Sequence, residues 1–151
     1  MNKLQHRIQR IADVVQEYLA ARTAADWLDA RTAENPSYGR TRGWNPKGGR
    51  DFSTNLEATY LVRMYAEFEA GLRDYWANYL GRDTQPPMMQ LLRQGIPTQR
   101  FSQDCINNAD AVRMYRNSLV HDSEEAPPKV VLLDAKRYLC EYFSRLDPRW
   151  R

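Results

Sequence analysis

The sequence predicts an all-α fold, specifically an antiparallel four-helix bundle with a basic loop between the first two helices. Three observations lead there. Apolar residues recur at spacings of three and four over long windows, strand-type alternation is essentially absent, and breaks rich in proline and glycine separate the periodic stretches.

The first periodic stretch runs from Lys3 to Glu34, where Leu4, Ile8, Ile11, Val15, Tyr18, Ala25 and Leu28 line one face. Asn35-Pro36 interrupts it, and Pro36, Gly39, Gly43, Pro46, Gly48 and Gly49 mark a loop as far as Asp51. Ser53 or Thr54 then caps a second helix, with Glu57 placed to complete a capping box from Thr54. Its stripe is Leu61, Tyr65, Phe68, Leu72, Tyr75, Trp76 and Tyr79, and Gly81 closes it. After Pro86-Pro87, a short helical turn spans Met88 to Arg93. A third long helix starts at the cap Ser102 and reaches about His121, burying Ala109, Val112, Tyr115 and Leu119. Pro127-Pro128 forces a break. The last segment, Val130 to Leu146, carries Leu133, Tyr138, Cys140 and Phe143, and its length favours a helix although Val130-Val131-Leu132-Leu133 alone is ambiguous.

With 151 residues, 42% of them hydrophobic and 27% charged, residues 1–151 are expected to form a single domain with its own core. No stretch approaches the roughly 20 apolar residues of a membrane span, so a cytoplasmic protein without membrane partners is expected. Cys105 and Cys140 lie in apolar helical contexts and read as buried thiols. With His6, expected at a solvent-facing position, they offer no zinc spacing, and no metal or cofactor is expected. The phosphate loop G-x-x-x-x-G-K and the nucleophile elbow G-x-S-x-G do not occur, which removes nucleotide hydrolase, kinase and serine hydrolase chemistries. Twenty-two Lys plus Arg against 19 Asp plus Glu is too small an excess to announce a nucleic-acid binder by itself.

The residues with chemical potential lie late on the third long helix. Asp110, Arg113, Asn117 and His121 follow at spacings of three, four and four, and so share a polar face opposite the core stripe. Arg116 is separated from His121 by about 140 degrees of helical rotation, so the two side chains do not stack directly. These residue types suit cleavage of RNA by attack of the ribose 2′-hydroxyl on its own phosphate. Histidine takes or gives a proton near neutral pH, arginine stabilises charge growing on phosphate oxygens, and the reaction needs no metal. Asn117 can orient either group. Equally, cationic residues in a last helical turn complement the helix dipole and need no further function.

Arg116-Asn117-Ser118-Leu119-Val120-His121 resembles the Arg-x(4–6)-His motif of the HEPN superfamily, including the polar residue after the arginine. A looser resemblance of pattern extends from about Ser53 to Leu146. It implies a metal-independent endoribonuclease acting on single-stranded RNA as a homodimer, in which two motif helices face each other and build a composite cleft. Such proteins include toxins, phage-defence effectors and RNA-processing factors, often with a separately encoded antitoxin or regulatory partner. By position, the resemblance makes Arg116 the phosphate ligand, His121 the acid or base and Asn117 the orienting residue, with a 2′,3′-cyclic phosphate and a 5′-hydroxyl as products. It also calls for an acidic residue on an earlier helix, for which Glu67, Glu69 and Asp74 compete. Glu69 is the preferred candidate, although an ordinary intrahelical pair with Arg73 explains it as well.

A second candidate RNA contact is Ser37 to Asp51, where Arg40, Arg42, Lys47 and Arg50 accompany Tyr38 and Trp44. Cations interleaved with aromatics suit single-stranded nucleic acid, and Arg113 is a further candidate contact. The competing reading is a solvated loop whose Trp44 packs back onto the bundle. The functional alternative to the nuclease is a non-catalytic helical module that binds RNA, a nucleotide or a protein partner through the same surface.

Overall fold

The computed structural model describes residues 2–121 and 125–150. Among the described residues every regular element is helical: α1 (Lys3–Glu34), α2 (Pro46–Asp74), a short α3 (Met88–Gln90), α4 (Gln103–Val120) and α5 (Leu132–Ser144). No helix among them is long and apolar enough to cross a membrane. Two helices end in widened turns. Leu80 N–H reaches back five residues to the Tyr75 carbonyl at 3.0 Å, and Ile96 N–H does the same to Leu91 at 3.0 Å.

The start of α2 differs from the sequence expectation. Asn45, not Ser53 or Thr54, is the cap, accepting from Gly48 N–H at 2.8 Å, and Pro46 occupies the first helical position, where its missing N–H costs nothing. Gly48 and Gly49 therefore lie inside the helix despite their weak propensity. Trp44 explains part of this: a Cβ on Gly49 would meet its ring at 2.9 Å and one on Gly39 at 2.5 Å, so the indole needs bare backbone on both sides. The basic loop shrinks accordingly. Lys47 and Arg50 belong to α2, and the connection contains a single 3₁₀ turn at Arg40–Arg42, ended by Gly43 with φ of 86°.

Glu57 does not close a capping box on its own helix. Its carboxylate accepts the Leu132 backbone N–H at 2.9 Å and caps α5, whose own cap residue, Val131, has no acceptor in its side chain. Further along, Arg22 to Ser53, Glu17 to Arg63, Arg10 to Glu67 and Arg7 to Asp74 pair in reverse order, so α1 and α2 run antiparallel.

The core is one connected cluster centred on α2. Leu61, Met64, Tyr65, Phe68 and Leu72 pack with Ile11, Val14 and Val15 of α1 and with Leu139, Tyr142 and Phe143 of α5. Phe68 lies 4.9 Å from Phe143 and 5.5 Å from Tyr142, ring centre to ring centre, and the Tyr142 hydroxyl donates to the Leu92 carbonyl at 2.8 Å. The inward face of α5 is Leu132, Ala135, Leu139, Tyr142 and Phe143, continued past its end by Leu146, a regular helical period. Leu133, expected in the stripe, instead faces out at 58% exposure, because the apolar phase belongs to its neighbour. Cys105 is buried, Cys140 half-buried and both are free, and burial pushes the Cys105 thiol up to about 11.

A Cβ on Gly71 would stand 2.6 Å from the fully buried Phe143 ring. Gly71→Ala should therefore lose about 1–3 kcal/mol through overpacking, more than the gain of roughly 1 kcal/mol in helix propensity. Urea unfolding measures this, and a more stable variant would contradict the packing described.

Candidate functional site

The motif residues sit at the C-terminal end of α4, and the structure divides them between two sides of that helix. Arg116 turns inward towards α2. Its guanidinium carbon lies 5.7 Å from the centre of the Tyr65 ring, and Nη1 donates to Asn117 Oδ1 at 3.1 Å. His121 is exposed and ends the helix with extended backbone (φ −131°, ψ 137°), its N–H closing the last turn on the Asn117 carbonyl at 2.9 Å. The extended backbone takes His121 out of the helical register, so the rotation expected for a continuous helix does not fix its direction. Arg116 and His121 make no contact with each other within the described chain. Asn117 links them, holding the arginine with its side chain and the histidine with its carbonyl.

Two polar atoms on this inner side are buried without a hydrogen-bond partner among the described residues: Nε of Arg116 and the hydroxyl of Tyr65. Burial, reinforced by the charge of Glu69, raises the Tyr65 phenol well above its ordinary range, while Arg113 and Arg116 pull against that rise. Tyr65 is thus a neutral, unpartnered hydroxyl among charges of both signs, with Glu69 and Asp110 on one side of the balance and Arg113 and Arg116 on the other. Sequence reasoning treated it only as core. The available signal was that a tyrosine rather than a phenylalanine occupies the stripe, since a buried phenol needs a partner for its hydroxyl.

The expected polar face does not exist as such. Asp110 is buried, its side chain 3% exposed, and bridges two arginines: Oδ2 accepts from Arg93 at 2.9 and 2.6 Å, and Oδ1 from Arg113 at 2.6 Å. Arg113 is consequently engaged in an internal ion pair rather than presented to RNA. Burial alone would raise the Asp110 pKa, but the hydrogen bonds and charges of Arg113 and Arg93 outweigh it and hold the carboxyl below its ordinary value.

The candidate acidic residues are likewise committed. Glu69 accepts from Arg73 at 3.0 and 2.8 Å, the intrahelical pair that the spacing allowed. Glu67 is held by Arg10 at 2.6 and 2.5 Å, and Asp74 by Arg7 at 3.2 Å. None of these contacts joins Arg116 or His121.

The arginine-rich connection lies elsewhere. Arg50 and Tyr65 are fifteen positions apart on α2, or about 22 Å of helix at 1.5 Å per residue. Within the connection, Arg42 covers one face of Tyr38 at 3.8 Å, and Trp44 packs onto Gly39 and Gly49 as a loop anchor. Lys47 pairs with Asp51 at 2.7 Å, Arg40 is exposed, and Arg50 lines a groove of about 400 Å³ between the ends of α1 and α2. The ring that this end does present is Trp27, 57% exposed on α1 with Arg31 5.7 Å from its centre. A tryptophan off the apolar stripe of an amphipathic helix was the signal for it.

No protein-family profile, curated protein or solved structure matches the chain. Among the described residues no cluster of His, Cys, Asp and Glu is arranged to hold a metal ion.

A carboxylate with a depressed folded pKa contributes stability that is present above its unfolded pKa and lost as pH falls through the folded one. Asp110 should therefore stabilise the protein fully at neutral pH and progressively less below about pH 4, the unfolded aspartate value. Asp110→Ala should cost about 3 kcal/mol at pH 7 by leaving the partly buried Arg113 uncompensated, and should flatten the acid limb of the stability curve. Denaturant titrations at a series of pH values test both, and an unchanged acid limb would count against the bridge.

Proposed function

We propose that the protein is a metal-independent endoribonuclease of the HEPN kind, cleaving single-stranded RNA at the end of α4. The observation that carries this reading is the arrangement around Asn117. It holds the Arg116 guanidinium beside the Tyr65 ring, while His121 stands exposed where the helix has ended. In this reaction Arg116 neutralises charge on the scissile phosphate and His121 transfers the proton of the attacking 2′-hydroxyl or of the leaving 5′-oxygen, yielding a cyclic phosphate.

Because Arg116 and His121 do not meet within one chain, the reading includes a homodimer whose two α4 helices complete each other's site, on an antiparallel four-helix framework. Exposed apolar residues support it. Met114 and Val120, 42% and 44% exposed, lie three residues either side of Asn117 on one strip of α4, and Val131 and Leu133 are exposed at the start of α5. Exposed Trp27, Arg40 and Arg50 offer an outlying contact for the RNA strand. A toxin or phage-defence effector with a separately encoded partner is the biological setting such an activity fits.

Glu69, the candidate acidic residue, is paired with Arg73 and acts at this site through its charge on Tyr65. One observation favours the second reading, a non-catalytic RNA-binding or partner-binding module: the Arg116 guanidinium is half-buried and already held by groups of its own chain.

Labelled single-stranded RNA incubated in excess EDTA distinguishes the two. The wild type should give 2′,3′-cyclic phosphate ends, and Arg116→Ala and His121→Ala should each lose about 10²–10⁴-fold in rate while retaining helical circular dichroism. Intact RNA with the wild type, together with salt-sensitive RNA binding, would replace the nuclease with the binding module.

A further inference from the structure

At the end of α2 remote from the Trp44 connection, Tyr75, Tyr79 and Leu80 meet the segment from Ile96 to Phe101 and the residues after α5. Together they border a cleft of about 590 Å³, within the size range of small-molecule sites. Its floor is apolar and closely packed. Tyr75, Ile96 and Leu146 are buried there, Tyr75 and Tyr79 stack at 5.0 Å with 24° between their planes, and Trp150 packs edge-on against Tyr75 at 5.2 Å.

The rim is cationic, with Arg100, Arg145 and Arg149 opposed by the single carboxylate of Asp147. That carboxylate is already occupied: Arg149 donates to it at 2.6 and 3.0 Å, and hydrogen bonds from Arg149 and Tyr79 hold it well below the usual carboxylate range. Arg145 has only a loose contact with Glu141 at 3.6 Å, and Arg100 has no ion-pair partner among the described residues. Arg100 thus stands beside an aromatic wall without a matching anion among the described residues, and Arg145 is only loosely paired. A guanidinium suits the oxygens of a phosphate, and a stacked tyrosine pair suits a flat heterocycle.

We propose that this cleft binds a nucleoside monophosphate, its phosphate on Arg100 and Arg145 and its base against the half-buried ring of Tyr79, which buried Tyr75 backs. An uncharged aromatic would leave the arginines unused, and inorganic phosphate would leave the aromatic floor unused. The site is separate from the one at His121. Phe101 borders the cleft just before α4, whose 18 residues then run about 27 Å before the motif end is reached. The inference therefore does not depend on the nuclease reading.

Isothermal titration of the whole protein with AMP, adenosine and inorganic phosphate tests it. AMP should bind saturably and about tenfold or more tightly than either fragment, Arg100→Ala and Tyr79→Leu should each weaken AMP about tenfold, and Arg116→Ala should leave AMP binding unchanged. Absence of saturable AMP binding at millimolar concentration would overturn the proposal. So would AMP affinity matched by adenosine or by phosphate alone, affinity indifferent to Arg100→Ala and Tyr79→Leu, or affinity lost in Arg116→Ala, which would move the nucleotide to the other end of α4. Cleavage of RNA by the same preparation is a separate readout, so either idea can fail alone.

Discussion

Asp110 is the one charged residue buried in the described core, and the rotation of α4 depends on it. Removing a carboxylate from water is costly, and here the cost is offset by three hydrogen bonds from two arginines, one on its own helix and one on the segment that follows α3. That bridge, together with buried Ala109 and Val112, holds α4 at one angle about its own axis. Successive residues of a helix are turned about 100° apart, so Arg116, seven residues after buried Ala109 and four after buried Val112, points inward with them towards Tyr65, while Met114 lies off that stripe and is exposed. The division of the motif into an inner arginine and an outer histidine then follows from the helix ending at Val120, because Arg116 keeps the register of the buried face and His121 leaves it.

The other organising element is α2. It carries the central core residues, receives α1 along a ladder of antiparallel ion pairs, and reaches across to cap α5 through Glu57. Arg63–Glu17 is exposed and contributes little, Arg10–Glu67 and Arg7–Asp74 are more covered, and the order of the pairs fixes the register of the two helices. The Glu57 contact differs, because a helix start with no side-chain acceptor of its own is tied to a residue 75 positions earlier. Both α2 and the α3 segment close with five-residue turns, and these bring Tyr75, Tyr79 and Ile96 to one end of the molecule beside the residues that follow α5.

Several features were legible in the chain. Ser102 caps α4 as the sequence indicates, Gly81 stops the long second helix with φ of 62°, and the stripe of α2 is core as far as Tyr75, with Trp76 and Tyr79 half-buried at its edge. The competing explanation of Trp44 as an anchor and of Glu69 as the partner of Arg73 was likewise legible, because local spacing alone sets which neighbours lie within reach. The start of α2 was misread because Pro and Gly signal a break only when nothing packs against them, and the indole that packs there cannot be foreseen from composition. Leu133 was misplaced because two adjacent leucines fit the same window in different phases.

The sequence by itself determined the helical class, most helix limits and the residue types gathered at Arg116 to His121, since periodicity and capping are local properties. Only the tertiary structure decided that Asp110 and Arg113 form an internal bridge, that Arg116 meets Tyr65, and that arginines from distant segments gather over Tyr75 and Tyr79. Burial and ion pairing depend on which helix faces which, and that follows from packing between residues remote in the chain.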